Sequence, residues 1–500
     1  MNTSFLKITG LCILLAGCQT SGYPEAKPSE VLQVSDGDRI SIDPTIVSKT
    51  INGKIFKMYG YNGQIPGPMI KAPQGSTITI DSKNHIDYET TIHWHGLRLD
   101  DASDGVPDVT MDVTKPGESH TYTVTFPDEG IYWYHPHVRE DIQQDMGLYG
   151  NLFVTPDDAR EYNPVDRQEV IVLDDLFVDS DGNNIPYGEE EPNFALMGRF
   201  GNVMLINGNT EYKNEFIAGD VVRFYFTNVA NTRTFKLSIP GVKIKRVGSD
   251  VGRYERDEFV DSITIAPAER YIVEALFEKA GSYDLLHKSP LAEFSLGTFT
   301  VSDGQKLATF TKEFNTLRSY DDVISDIDTF RPYFDSPIDK TLRLSIEIDG
   351  AMGMMHSGMA GMEHDESGIE WEDTMPMMNQ MMASEDFQWK LIDEETGKSN
   401  MDFMWEFKVG DVKKVQIINE EDSAHPMQHP IHFHGQRFLV LSMDGKPNTN
   451  LVWKDTVLVP IGSTAEILFD ITNPGMWMFH CHIAEHLSNG MMGMFKVLEL

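Results

Sequence analysis

The spacing of its histidines constrains this chain more than any other feature. Ten of the sixteen His residues fall in four short motifs. These are His93-Trp-His95-Gly, His135-Pro-His137, His429-Pro-Ile-His432-Phe-His434-Gly, and His480-Cys481-His482 with His486 close behind. Side chains at i and i+2 of a β-strand point to the same face. Each His-x-His pair therefore offers two imidazoles side by side to one cluster of metals, and imidazole suits copper, zinc, iron and nickel. One such pair can sit harmlessly on a strand surface. Four of them, two early in the chain and two late, demand a fold that brings distant strands together.

Cys481 sharpens the reading. The chain has three cysteines, Cys12 within an N-terminal leader and Cys18 at its end, so the body beyond them has one thiol and no internal disulfide. In a strand the Cys481 side chain faces away from His480 and His482. It can bind a different metal from the ones its neighbours bind, and one strand then links two metal sites through a few bonds. Cys481, His429 and His486 supply a His₂Cys set, and Met491 can serve as a weak axial thioether. That is the ligand set of a blue-copper electron-transfer centre. A zinc site more often uses several cysteines or a His₂Glu arrangement.

At 500 residues the chain is too long for one core, so several domains are expected. Gly 40 and Pro 25, with many Val, Ile, Thr, Phe and Tyr runs, point to an all-β architecture. Strand-like alternation fills three stretches, placed at 33–156, 165–305 and 320–500. A strand ending in a Thr-Asn or Asn-Glu turn recurs, as in VVRFYFTNVA and VKKVQIINEE, which suggests three copies of one β-sandwich unit. Residues 302–340 are expected to hold a short helix. The third stretch carries a Met-, Gly-, His- and acid-rich insertion at 351–384. The net charge of -36 argues against nucleic acid and anionic membrane surfaces as partners and suits a body that attracts small cations. Residues 1–17 read as a secretory signal. Leu15-Ala16-Gly17-Cys18 resembles a bacterial lipobox, which implies a lipid on Cys18 as the only membrane contact, an outer-membrane anchor facing the periplasm, and a flexible tether over 18–32.

The four histidine motifs resemble the copper signatures of the multicopper oxidase family, which includes laccases, ascorbate oxidase, ferroxidases and bacterial cuprous oxidases. The resemblance extends to YNGQIPGPMIKAPQGSTITI, YWYHPH…GLYGNLFV and NPGMWMFHCHIAEH. It implies three consecutive cupredoxin-like Greek-key domains in a monomer that binds four copper ions. His93 and His432 would hold the type 2 copper. His95, His135, His137, His434, His480 and His482 would hold the type 3 pair. His429, Cys481 and His486 would hold type 1, with Met491 axial. Electrons would pass from a substrate through type 1 and Cys481 to the cluster, where dioxygen becomes water. Asp104, in the SDGVP turn, stands where the family usually has a proton-supplying acid. Several bacterial members have Glu directly after the second type 1 His, whereas this chain has Leu487.

The electron donor is read from the insertion. Met352, Met354, Met355, Met359 and Met362 lead a run that continues through Met382. Thioethers select Cu(I), and such inserts resemble those of cuprous oxidases that detoxify copper. Met427, just before His429, is a candidate Cu(I) stop beside type 1. Where some cuprous oxidases have an Asp two residues earlier, this chain has His425. Laccase-like oxidation of phenols and aromatic amines, oxidation of Fe(II), and a copper-buffering role without oxidase activity are the alternatives.

Overall fold

A computed structural model of the protein describes residues 22–156, 162–187, 194–304, 309–348, 367–374 and 386–499. The leader, Cys18 and every methionine of the insertion lie outside them. The chain is all-β, three consecutive cupredoxin-like Greek-key sandwiches, and among the described residues each sheet is built from strands of one third of the sequence.

The recurrent strand marks the same place in the three units. In the middle unit Asp220–Asn228 runs parallel to Arg167–Leu176 and antiparallel to Arg270–Phe277. In the last, Val412–Asn419 runs parallel to Lys340–Ile348 and antiparallel to Thr464–Asp470. In the first, Thr77–Lys83 runs parallel to Arg39–Ser41 and antiparallel to Ser119–Thr125. Such parallel pairs cannot be joined by a tight hairpin, so each unit needs a crossover between sheets.

The asparagine that closes each recurrent strand has a physical reason to be there. Asn84, Asn228 and Asn419 are all buried. Asn84 Nδ2 donates to the carbonyls of Tyr88 and Thr114. Asn228 Nδ2 donates to those of Arg233 and Ile265. Asn419 Nδ2 donates to those of Met427 and Val459. A buried carbonyl without a donor is costly, and one planar amide satisfies two at once. Each bracket fixes a loop, and the Asn419 bracket ends two residues before His429.

Two parts depart from expectation. The stretch read as a tether is docked from its first described residues onward. Ala26 N–H donates to the Ser48 carbonyl at 2.7 Å and Lys27 N–H to that of Gly63 at 2.9 Å. Val31–Gln33 adds a parallel edge strand to Met69–Pro73. The polar, Pro-bearing sequence concealed this because an edge strand is held by its backbone more than by its side chains. The region 302–340, expected to hold a short helix, has two among the described residues, Thr311–Asn315 and Asp321–Asp328. Among the described residues no helix is long and apolar enough to cross a membrane.

The cores are not confined to their own units. The apolar cluster of the first unit takes in Leu439, Leu441, Leu451, Trp453 and Leu468 from the last. The cluster of the last unit takes in Ala195, Leu196 and Met197 from the middle. Replacing Asn419 by Ala should lower the unfolding free energy by about 1–3 kcal/mol, the cost of stranding buried carbonyls. Chemical denaturation of the metal-free protein measures this, with an unchanged denaturant slope.

Candidate metal centres

The histidine motifs lie where strand alternation puts them. His93–His95 pairs antiparallel with Gly130–His135, and His93 stands opposite His135. Trp94, between the two imidazoles, turns into the core of the first unit. In the last unit His429–Phe433 pairs with Gly475–Cys481, so that His432 faces His480 and Ile431 faces Cys481. The histidine pair lies on one face of the sheet. The Ile431–Cys481 pair lies on the other, in the apolar cluster.

The eight cluster imidazoles converge between the first and last units. Three sets bring their ligand atoms within 4.8 Å of one another: His93, His95 and His432; His95, His135 and His482; His137, His434 and His480. Rings from the two units stack across the junction, His93 on His434 at 4.0 Å and His95 on His432 at 3.7 Å. On the other side of the strand, Cys481 Sγ lies 3.5 Å from His429 Nδ1 and 3.7 Å from His486 Nδ1. Met491 is fully buried in the same apolar cluster, and its carbonyl accepts the Cys481 N–H.

The rings are oriented from behind. Nδ1 of His93 contacts the Asp104 carbonyl at 2.7 Å, that of His432 the Asp455 carbonyl at 2.8 Å, and those of His135 and His480 the carbonyls of Pro136 and Cys481. Nδ1 of His434 meets the Asp104 carboxylate at 2.8 Å, and Nδ1 of His137 meets Glu140 at 2.9 Å. An Nδ1–H anchored in this way leaves Nε2 as the lone-pair atom. Nε2 of His93, His135, His137, His432 and His482 is buried without a hydrogen-bond partner. Buried polar atoms are rarely left so, and a converging set of them fits a metal cluster.

Electrostatics agree. Burial, reinforced by neighbouring imidazoles, holds His95, His135, His432, His480 and His482 well below the usual histidine range. Burial brings His429 and His434 down to about 3 and His486 well down. Neutral imidazole is the form that binds metal. Burial lowers His137 as well, but Glu140, together with Asp104 and a backbone hydrogen bond, more than offsets this and raises it. Burial also pushes the Cys481 thiol up, and a bound metal would take the place of its proton. For Asp104 burial acts upward, but His434 and His93 hold the carboxyl well below its ordinary range. An ionised carboxylate turned onto two imidazoles orients them.

Met427 departs from expectation. It is 1% exposed, inside the apolar cluster around Cys481, so it packs there and offers no thioether to solvent. Leu487 is buried beside His486. Residues that the motifs did not single out surround both centres. Trp389 stacks on His486 at 4.1 Å and stands edge-on to His429 at 5.1 Å. Glu485 is buried and accepts from Asn231 and Thr232 of the middle unit, both at 3.0 Å. Burial lifts its carboxyl to about 8. Glu485 stands inside the NPGMWMFHCHIAEH motif, directly before His486, and that position was its sequence signal; Trp389 had none.

Three multicopper oxidase family models match residues 46–159, 168–302 and 370–499. The chain belongs to the multicopper oxidase family. It is similar to a multicopper oxidase of Staphylococcus aureus, 28% identical over 89% of this chain and 85% of the relative. It is also similar to copper resistance protein A of Escherichia coli, 25% identical over 92% of each. Among solved structures, a laccase-like multi-copper oxidase from Ochrobactrum superposes with a TM-score of 0.72 at 24% identity, over 95% of this chain and all of that one. The protein is thus an oxidoreductase. The family implies copper ions, dioxygen and a reducing substrate, and the imidazole groups fit copper sites.

Glu485 gives a pH-dependent test on the copper-free protein. Its folded pKa of about 8 lies above the ordinary 4.5. The folded state therefore holds the proton longer, and stability falls as pH rises between those values. Glu485→Gln should melt with the wild type at pH 4 and above it at pH 8.

Proposed function

We infer that this multicopper oxidase couples one-electron oxidation of a donor at a mononuclear blue copper to four-electron reduction of dioxygen at a three-copper cluster. The observation that carries the reading is the position of Cys481. Its sulfur faces His429 and His486, while its neighbours His480 and His482 belong to two different histidine sets on the opposite face. Bound copper would supply the one-electron chemistry at both centres, four ions in all.

The residues then divide as the family pattern implies. His429, Cys481 and His486, with Met491 axial, would hold type 1. His93 and His432 would hold type 2. His95, His135 and His482 would hold one type 3 ion, and His137, His434 and His480 the other. Cys481 joins the centres through its own peptide bonds to two ligands, a route of a few bonds. Trp389 and the Ala195–Met197 segment exclude water from the His429–Cys481–His486 side. One chain supplies all the ligands, which favours a monomer. The leader places it across the inner membrane, in the periplasm, anchored by a lipid on Cys18 and held at the outer membrane.

For the donor we favour Cu(I), in service of copper detoxification. The insertion supplies soft thioethers, and its described segment 367–374 docks next to type 1. Glu370 N–H donates to Gln428 Oε1 at 2.9 Å, Gln428 Nε2 donates back to the Glu370 carbonyl at 3.1 Å, and Gln428 precedes His429. The likeness to a copper resistance protein supports this choice. Laccase-like oxidation of phenols and aromatic amines is the second reading, supported by the likeness to the Ochrobactrum enzyme, which has oxidase activity towards lignin model compounds. Fe(II) oxidation and copper buffering without turnover are the remaining outcomes of the test.

Oxygen uptake with Cu(I), Fe(II) and a phenol separates these readings. Replacing the insertion's methionines by serine, with 367–374 kept, should lower kcat/KM for Cu(I) by about tenfold, a loss of about 1.4 kcal/mol. Phenol turnover should be preserved. Unchanged Cu(I) kinetics would reject the cuprous reading, and no uptake with any donor would favour buffering. Cys481→Ser should abolish both the visible thiolate–copper band and turnover with every donor.

A further inference from the structure

Among the described residues the middle unit contributes no member to any of the ligand sets, yet one of its side chains reaches the cluster from behind. Arg270 is completely buried. Its guanidinium grips Asp455 of the last unit at both ends, Nη1 to Oδ1 at 2.7 Å and Nη2 to Oδ2 at 2.5 Å. Its Nε donates at 2.8 Å to the carbonyl of Ile131, on the strand that carries His135. One side chain thus ties together all three units.

Asp455 faces two cluster histidines. Its carbonyl accepts from His432 Nδ1, and its carboxylate meets His95 Nε2 at 3.1 Å. His95 is therefore turned the opposite way from the rings anchored through Nδ1. Its Nε2 is occupied by Asp455 and Thr456, and its Nδ1 is buried without a partner. Gly96 makes this approach possible. It has φ +85°, and a Cβ there would collide with the Asp455 carboxylate and press on Arg270.

We propose that Arg270 is a positioning residue for the three-copper cluster. Its two-pronged grip holds the Asp455 carboxylate against His95 Nε2 and so turns Nδ1 of His95 towards the metal. The inference rests on the reading of these imidazoles as copper ligands. A guanidinium fork fixes both carboxylate oxygens in one plane, whereas an ammonium is a point charge that fixes neither. Without the fork the carboxylate can rotate, and the His95 ring loses what selects its tautomer.

The test loads wild type, Arg270→Gln, Arg270→Lys and the double variant Arg270→Gln/Asp455→Asn with copper. Copper per chain, the EPR-detectable fraction, the visible thiolate–copper band and the melting temperature are read for each. Copper retention at the cluster should weaken roughly 10–100-fold in Arg270→Gln while the visible band persists. Lysine should not rescue it. The double variant, which leaves no unpaired buried carboxylate, should recover its melting temperature but not its cluster copper. Wild-type retention in the double variant overturns the proposal, as does loss of the visible band in parallel with cluster copper, the mark of general loosening. If wild type itself loads neither centre, the reading of the cluster as copper ligands fails, and this inference with it.

Discussion

Packing the donor atoms into a dry interior, each pointing the right way, is the constraint on which the rest of the structure depends. A buried imidazole has two nitrogens, and a metal can satisfy only one. The other must find an acceptor inside the protein or carry the penalty of an unmet polar group. Here backbone carbonyls at Asp104, Pro136, Asp455 and Cys481 provide most of the acceptors, and carboxylates at Asp104 and Glu140 provide others. A carbonyl cannot swing away as a long side chain can. The ring orientations are therefore fixed by the same hydrogen-bonded backbone that forms the sheets, and the lone pairs converge before any ion arrives.

The same economy explains the middle unit. Among its described residues it offers no ligand, but its loop around Asn231 and Thr232 holds Glu485 beside His486, and its Arg270 holds Asp455 beside His95. The loop is itself fixed by the Asn228 bracket. A unit that looks like a spacer in the ligand list is the part against which both centres are braced.

Much of this was legible in the sequence, for a definite reason. Strand alternation is a local rule, so the sidedness of His480, Cys481 and His482 could be read from three letters. The recurrent strand and its asparagine were equally visible, although the work of that asparagine was not. The partners that meet the ligands from behind could not be read. Asp455 lies far along the chain from His95 and Arg270 far from both, and a lone Asp or Arg has no spacing signal. Met427 misled because proximity in sequence to His429 says nothing about which way its side chain turns, and in the folded chain it turns into the apolar cluster. Asp104 was legible as part of the site, but its partners His434 and His93 were not, because a turn residue's partners are set by tertiary packing.

The first and last units share one apolar cluster, with Leu439, Leu441, Trp453 and Leu468 packed among the residues of the first. The imidazoles divide along that same boundary. Parting the boundary would dismantle the cluster, and an ion seated in the cluster resists the parting. Metal affinity and adhesion between the two ends of the chain are then one thermodynamic quantity seen from two sides. Starving the protein of copper should be felt first as a loosening of that hydrophobic joint, well away from the metal itself.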